Sequence, residues 1–347
     1  MQRRLFFDPI CIRMSHYLHF FSIAIPLLQA CTLKSEAQYF LRPGIAEQRA
    51  SYAQLKLDPE VRFADSARLI SNLQYLSTDS MEGRKTGTAG SEKARQYILS
   101  QLRQTKVNTL PGKDDFLQAF PVGSLNGYNI LGFIKGNDFP NSVLVVSAHY
   151  DHIGSKKGEV FNGADDNASG VSVLLEAASY FSQHPPKHSI VFCFFDAEEM
   201  GLQGSRYFVD HLPEGMPVAA NINFDMLSRN QNGNELFASG SLHYPQFYYL
   251  LQPLIIRHPV ALLFGHDGEK PSKPGDDWTF QSDHGSFHRK RIPFIYLGVE
   301  DHDDYHKATD EFEKVDKSFF LHSANLALDV VISVDALWGT NNEKRPR

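Results

Sequence analysis

The sequence predicts an α/β protein of three layers, with a central mixed and mostly parallel sheet flanked by helices. Short runs rich in β-branched and aromatic residues alternate with longer stretches at helical spacing. The main runs are each followed at once by acidic residues or histidine. In open α/β sheets ligands bind in the crevice at the carboxyl ends of the strands. The pattern therefore predicts both an architecture and the edge of the sheet that carries the chemistry.

The elements run in chain order. Ser66–Leu76 places Ala67, Leu69, Ile70, Leu73 and Leu76 on one helical face. A glycine-rich loop over residues 82–90 leads into a second helix ending near Leu102. Strands are expected over residues 129–134, 142–148, 190–195, 219–224, 235–238 and 293–297, with helices near Gly170–Gln183, residues 201–210, residues 245–257 and residues 318–337. Residues 264–283, rich in Gly, Pro, Asp and Lys, read as a long surface loop near the site. There are no repeats or low-complexity tracts. A hydrophobic content of 42% with 21% charged residues is enough for one large core, so residues 63–340 are expected to form a single domain.

The start of the chain differs. Arg3, Arg4 and Arg13 precede an apolar stretch over residues 17–28, short for a membrane span and suited to an export signal. Leu28-Gln29-Ala30-Cys31 is similar to a bacterial lipobox. Residues 1–31 thus read as a signal peptide, with a lipidated Cys31 attaching the protein to a membrane or, alternatively, plain cleavage and release to the periplasm or medium. Met14 is an alternative start. Residues 32–62 show no sustained period and read as a tether or an irregular N-terminal segment. Of the three cysteines only Cys193 then remains, in an apolar run, so no intramolecular disulfide is expected and the thiol is core. A net charge of −6, with basic residues concentrated only at residues 289–291 and 344–347, argues against a nucleic-acid partner.

The chemistry sits after the strands. His149 and Asp151 lie two residues apart in an extended segment and face one side, so Asp151 can orient His149 as a metal ligand, while His152 points the other way. Asp165 and Asp166 are adjacent in a small-residue loop, a costly arrangement without a cation. The neighbours Glu198 and Glu199 cannot share one job, which suggests one for metal and one for the attacking water. Asp225 ends the next strand, and Asp303, Asp304, Tyr305 and His306 come after the last. Histidines and carboxylates without cysteine suit a hydrolytic zinc pair better than a closed structural site.

In this order, Glu82-Gly83-Arg84, His149-Tyr150-Asp151, residues 163–170, residues 196–199, Asn223-Phe224-Asp225, Ser282-Asp283-His284 and Tyr305-His306 resemble the M28 metallopeptidases, over about residues 66–330. The resemblance implies the zinc-exopeptidase fold and two zinc ions. It makes His149 and Asp225 ligands of one ion, Glu199 and His306 ligands of the other, and Asp166 the bridge. It implies Glu198 as general base on the bridging water, Asp151 behind His149, and Tyr305 polarising the scissile carbonyl. His284 and His302 are alternatives to His306 as ligand, and His306 fits the motif better. The implied activity is that of an aminopeptidase acting on peptides, compact because no segment is long enough for the protease-associated insert that the family often carries. The alternatives are a single-zinc glutaminyl-peptide cyclotransferase, a carboxypeptidase using Arg289 or Arg291, and a binding module on the same fold. A serine hydrolase lacks its G-x-S-x-G elbow.

Overall fold

The computed structural model describes residues 42–56, 62–213, 215–231, 233–268 and 275–339. The signal and lipobox expectations for residues 1–31 lie outside the described residues. Eight strands make one sheet, β1 (Leu117–Val122), β2 (Leu125–Ile134), β3 (Phe139–His149), β6 (His188–Phe195), β7 (Val218–Phe224), β8 (Glu235–Ser239), β9 (Ala261–Phe264) and β10 (Phe294–Gly298). Two further strands, β4 (Gly154–Lys156) and β5 (Glu159–Phe161), form a separate hairpin. The order is β1-β2-β6-β3-β7-β10-β8-β9. The central four, β6, β3, β7 and β10, are parallel, flanked by antiparallel β1 and β2 on one side and by β8, antiparallel to β10, on the other. The expected mixed, mostly parallel sheet is what forms.

Strand alternation explains the two faces. On β6, Ile190, Phe192 and Phe194 enter one core while Val191, Cys193 and Phe195 enter the other. Among the described residues eight helices surround the sheet, α1 (Ile45–Tyr52), α2 (Ser66–Leu76), α3 (Ala89–Arg103), α4 (Gly170–Gln183), α5 (Gln203–Asp210), α6 (Gln246–Leu251), α7 (His284–Arg289) and α8 (Lys317–Leu337). The larger core receives α2, α3, α4 and α8, and the smaller receives Phe208 and Val209 of α5 and Phe287 of α7. Helix α8 is apolar and long enough to cross a membrane, yet 67% of its apolar window is buried inside the protein, as a core helix requires.

Three expectations are corrected. The tether over residues 32–62 contains α1, which docks on β9. Gln48 donates to the Phe264 carbonyl at 2.8 Å and accepts from its amide at 2.8 Å, so its side chain satisfies an edge strand that has no further neighbour. The helix expected over residues 245–257 passes from α6 into a 3-10 turn over Gln252–Ile256, with Pro253 in its first turn. The loop over residues 264–283 is not all surface, because Trp278, Thr279, Ser282 and Asp283 are buried.

Arg84 ties the loops together. Its guanidinium is buried and donates to the carbonyls of Tyr150 at 2.9 Å, Leu76 at 2.7 Å, Asn162 at 2.6 Å and Gly163 at 3.0 Å. Burial pulls its pKa down to about 10 against the pull of Asp166, Asp310, Asp151 and Glu199. Arg84→Met removes the donors of four carbonyls and is expected to cost about 3–5 kcal/mol, read as a lowered midpoint of urea unfolding. A loss under about 1 kcal/mol would contradict this role.

Candidate metal and catalytic centre

The four parallel strands end on one side, and each delivers part of one site. His149 is the last residue of β3, Asp225 comes directly after β7, the turn after β6 carries Glu198 and Glu199, and the loop after β10 returns through Tyr305 and His306. Asp166 comes from the loop before α4. Gly163 opens that loop at φ 52, where an added Cβ would lie 2.1 Å from the Asp166 carbonyl oxygen and 2.6 Å from the His152 ring. Asn167 links the loop to the end of β7, donating to the Phe224 carbonyl at 2.9 Å and accepting from the Met226 amide at 3.2 Å.

The two oxygens of Asp166 face opposite ways. Oδ1 lies 3.4 Å from His149 Nε2, and Oδ2 lies 3.1 Å from His306 Nε2. His149 Nε2 is also 3.3 Å from Asp225 Oδ1, and His306 Nε2 is 3.6 Å from Glu199 Oε2. Two groups of donor atoms, each within 4.8 Å, could hold a metal ion, one from His149, Glu198 and Asp225 and one from His152, Asp166 and Glu199. Thus His149, Asp166, Glu199, Asp225 and His306 come together, with Glu198 and Tyr305 in the same cleft of about 360 Å³. His284 and His302 do not. His302 Nε2 bonds Asp165 Oδ2 at 3.1 Å, and that carboxylate accepts from the Ser228 amide at 2.6 Å, which anchors the loop.

Asp151 lies behind His149 and meets it through the main chain. His149 Nδ1 meets the main-chain carbonyl of Asp151 at 3.1 Å, whereas the carboxylate is 3.8 Å away. That carboxylate instead accepts the backbone amides of Glu198 at 3.0 Å and Glu199 at 3.3 Å, so it holds the glutamate turn in place. It is buried and does not line the cleft. His152 is the residue that strand alternation missed. β3 ends at His149, the chain turns, and the His152 ring comes to 2.8 Å from Glu199 Oε1 and 3.7 Å from Asp166 Oδ2. The close contact of His152 Nδ1 with Glu199 Oε1 lacks hydrogen-bond geometry, so both ring nitrogens and Glu199 Oε1 are without a hydrogen-bond partner.

Charge in the site is unbalanced by side chains alone. Burial, opposed by His149 and reinforced by Asp283, Asp225 and Asp151, pushes the Glu198 carboxyl well above the usual range. Burial also raises Asp225. Burial would raise Asp166 too, but His152, His149 and His306 outweigh it and hold that carboxyl low. The donor set of imidazoles and carboxylates, with orphaned buried atoms on His152 and Glu199, suits a borderline cation such as zinc. Backbone strain gathers here as well, since Ala197, Met226 and His306 all have φ near 60°, at 57°, 61° and 56°.

The family model for Peptidase family M28 matches residues 129–331. The chain belongs to Peptidase family M28. Aminopeptidase YwaD of Bacillus subtilis (strain 168) is 28% identical over 282 residues, 78% of this M28 chain and 55% of YwaD. Leupeptin-inactivating enzyme 1 of Streptomyces exfoliatus is 30% identical over 196 residues, 55% of this chain. The chain spans about half the length of the curated relatives it matches, 42% of that enzyme and 55% of YwaD. BSAP, a zinc aminopeptidase from Bacillus subtilis, superposes with a TM-score of 0.61 at 19% identity, over 78% of this chain and 95% of BSAP. A glutaminyl cyclase from Bacteroides thetaiotaomicron, bound to N-acetylhistamine, gives a TM-score of 0.61 at 20% identity, over 79% and 99%. At such identity the likenesses establish the fold.

His284 does not line the M28 cleft. It is fully buried, its Nε2 donates to the Trp278 carbonyl at 2.8 Å, and burial lowers its pKa to about 3. A depressed value means that the unfolded chain takes up the proton first. The stability of the neutral ring is complete above the ordinary histidine pKa of about 6.5 and is lost as pH falls toward 3. His284→Gln is expected to shrink the stability lost between pH 6.5 and 5 by about 2 kcal/mol, measured by urea unfolding at both pH values. An unchanged acid slope would contradict the assignment.

Proposed function

We propose that the protein is a two-zinc aminopeptidase that hydrolyses the peptide bond next to a free N-terminus. The observation that supports this most directly is Asp166, whose two carboxylate oxygens face His149 on one side and His306 on the other. His149 and Asp225 would hold one ion, Glu199 and His306 the other, with Asp166 shared and His152 beside Glu199. Zinc at these positions supplies Lewis acidity that polarises the scissile carbonyl and lowers the pKa of water.

The chain's own residues carry the rest. Glu198 stands in the cleft with a raised proton affinity, which suits a group that takes a proton from the attacking water and returns it to the nitrogen of the leaving amine. The carbon–oxygen bond forms first, and the carbon–nitrogen bond breaks once the nitrogen has taken up the proton and leaves as the amine. Asp151 is a positioning residue, fixing the amides of Glu198 and Glu199. The Tyr305 ring stacks on His306 with centroids 3.9 Å apart, and its hydroxyl, which burial keeps protonated, would donate to the carbonyl oxygen.

Metal content measured beside hydrolysis of short peptides with free and blocked N-termini tests the reading. About two zinc per chain and cleavage of free N-termini alone are expected, whereas one zinc with pyroglutamate formation from N-terminal Gln would replace it with a cyclase. Glu198→Gln should keep both ions and lose at least about a hundredfold in kcat. Near-normal turnover would remove Glu198 from the base role. His152→Ala should weaken retention of one of the two ions by about ten- to hundredfold in chelator competition, and unchanged retention would leave His152 without a part in metal binding.

A further inference from the structure

We infer that the cleft selects peptides bearing a carboxylate close to the scissile bond, held by Arg206 and Arg289. This inference rests on the peptide-hydrolase reading and names its substrate class. Both arginines line the cleft that contains His149, Glu198 and Asp225. They come from different elements, Arg206 from α5 and Arg289 from the end of α7. Those helices are joined by a buried hydrogen bond of 2.9 Å between Ser205 and Ser286. Arg206 is the next residue after Ser205, and Arg289 is one helical turn beyond Ser286, so one junction brings both to the same wall.

Their charges are unpaired. Several other arginines meet carboxylates, as in Arg42 with Asp267, Arg49 with Glu235, Arg68 with Glu176 and Arg229 with Asp304. Among the described residues neither Arg206 nor Arg289 has an acidic partner, and Arg289 packs over the Phe280 ring, 4.9 Å from its centroid. Stacking of this kind holds a guanidinium plane while leaving its N–H edge free for a planar anion. Both residues are exposed, so solvent meets their charges until a ligand carboxylate enters the cleft. The cleft therefore carries its metal-binding carboxylates on the floor and its two unpaired guanidiniums on the wall. That wall complements the C-terminal carboxylate of a short peptide, or an acidic residue beside the scissile bond.

The zinc-loaded protein would be assayed on Leu-Ala and Leu-Ala-amide, and on Glu-Ala-amide and Gln-Ala-amide. In at least one pair the carboxylate member is expected to have a kcat/KM about tenfold or more above its amide partner, the scale of one charge-assisted hydrogen bond. A preference in the first pair identifies the C-terminal carboxylate as the group recognised, and one in the second identifies an acidic side chain. In Arg206→Ala/Arg289→Ala the carboxylate peptides should fall to the level of their amide partners, while Arg206→Lys/Arg289→Lys keeps part of the preference. Equal kcat/KM within both pairs, or a preference that survives the double alanine change, overturns the inference and leaves peptide cleavage standing. Calorimetric titration of the same four peptides separates the two readings. Tighter binding of the carboxylate members, lost in the double alanine variant, supports the arginine wall even where nothing is cleaved.

Discussion

The burial of several carboxylates at the ends of parallel strands is the constraint to which the rest of the molecule answers. Asp151, Asp166, Glu198, Glu199 and Asp225 converge where β3, β6 and β7 stop. Taking a carboxylate out of water costs several kcal/mol unless it is paired. Some of these charges are met by the backbone, as Asp151 takes two amides, and Asp310 accepts the amides of Asp165 and Asp166. Arg84 lies behind the same loops but spends its donors on carbonyls. Asp166, Glu199 and Asp225 are left facing imidazoles, and a divalent cation is the charge that balances them.

The same constraint shapes the backbone. Ala197 precedes Glu198, Met226 comes after Asp225, and His306 is itself a donor, and all three sit in the left-handed region that side chains disfavour. A strand presents alternate residues to opposite faces, so a donor can be aimed over the end of the sheet only where the alternation is broken. The strained residues are where that break occurs. Their cost is borne by anchored surroundings, such as Asn167 bridging to β7 and Ser323 donating to the Leu227 carbonyl at 2.6 Å.

Much of this was legible in the sequence because parallel strands buried on both faces are continuous apolar runs, and the residues directly after such runs stand, by geometry, at the ligand edge. The strands from β2 to β10 that build the centre could be read in that way. Edge strands could not. β1 contains Pro121 and β9 is only Ala261–Phe264, too short for a period, and both are tolerable because each has one neighbour. Helix α1 has no fully buried residue, so its apolar pattern is weak, and it is placed by Gln48, by the Arg49–Glu235 ion pair and by half-buried Ile45 and Tyr52 against the cluster around Phe237 and Leu263. His152 was hidden because alternation was carried past the end of β3. Arg84 was visible as part of a motif, but a buried guanidinium has the same letter as a solvated one.

The two histidines near Glu199 differ in a way that bears on how the site works. His306 is exposed at 43% of its side chain, on a strained loop that also carries Tyr305, while His152 is wholly buried against Gly163. A donor on an open loop can adjust as a substrate enters, and a donor packed against a glycine cannot. The side of Asp166 toward His152 and Glu199 is therefore rigid at its base and adaptable at its mouth. The side toward His149 and Asp225 is buried throughout, and both of its donors stand at the ends of core strands. The asymmetry comes from the sheet, since three donors ride directly on strand ends and their turns, and His306 reaches the site only through the long return after β10.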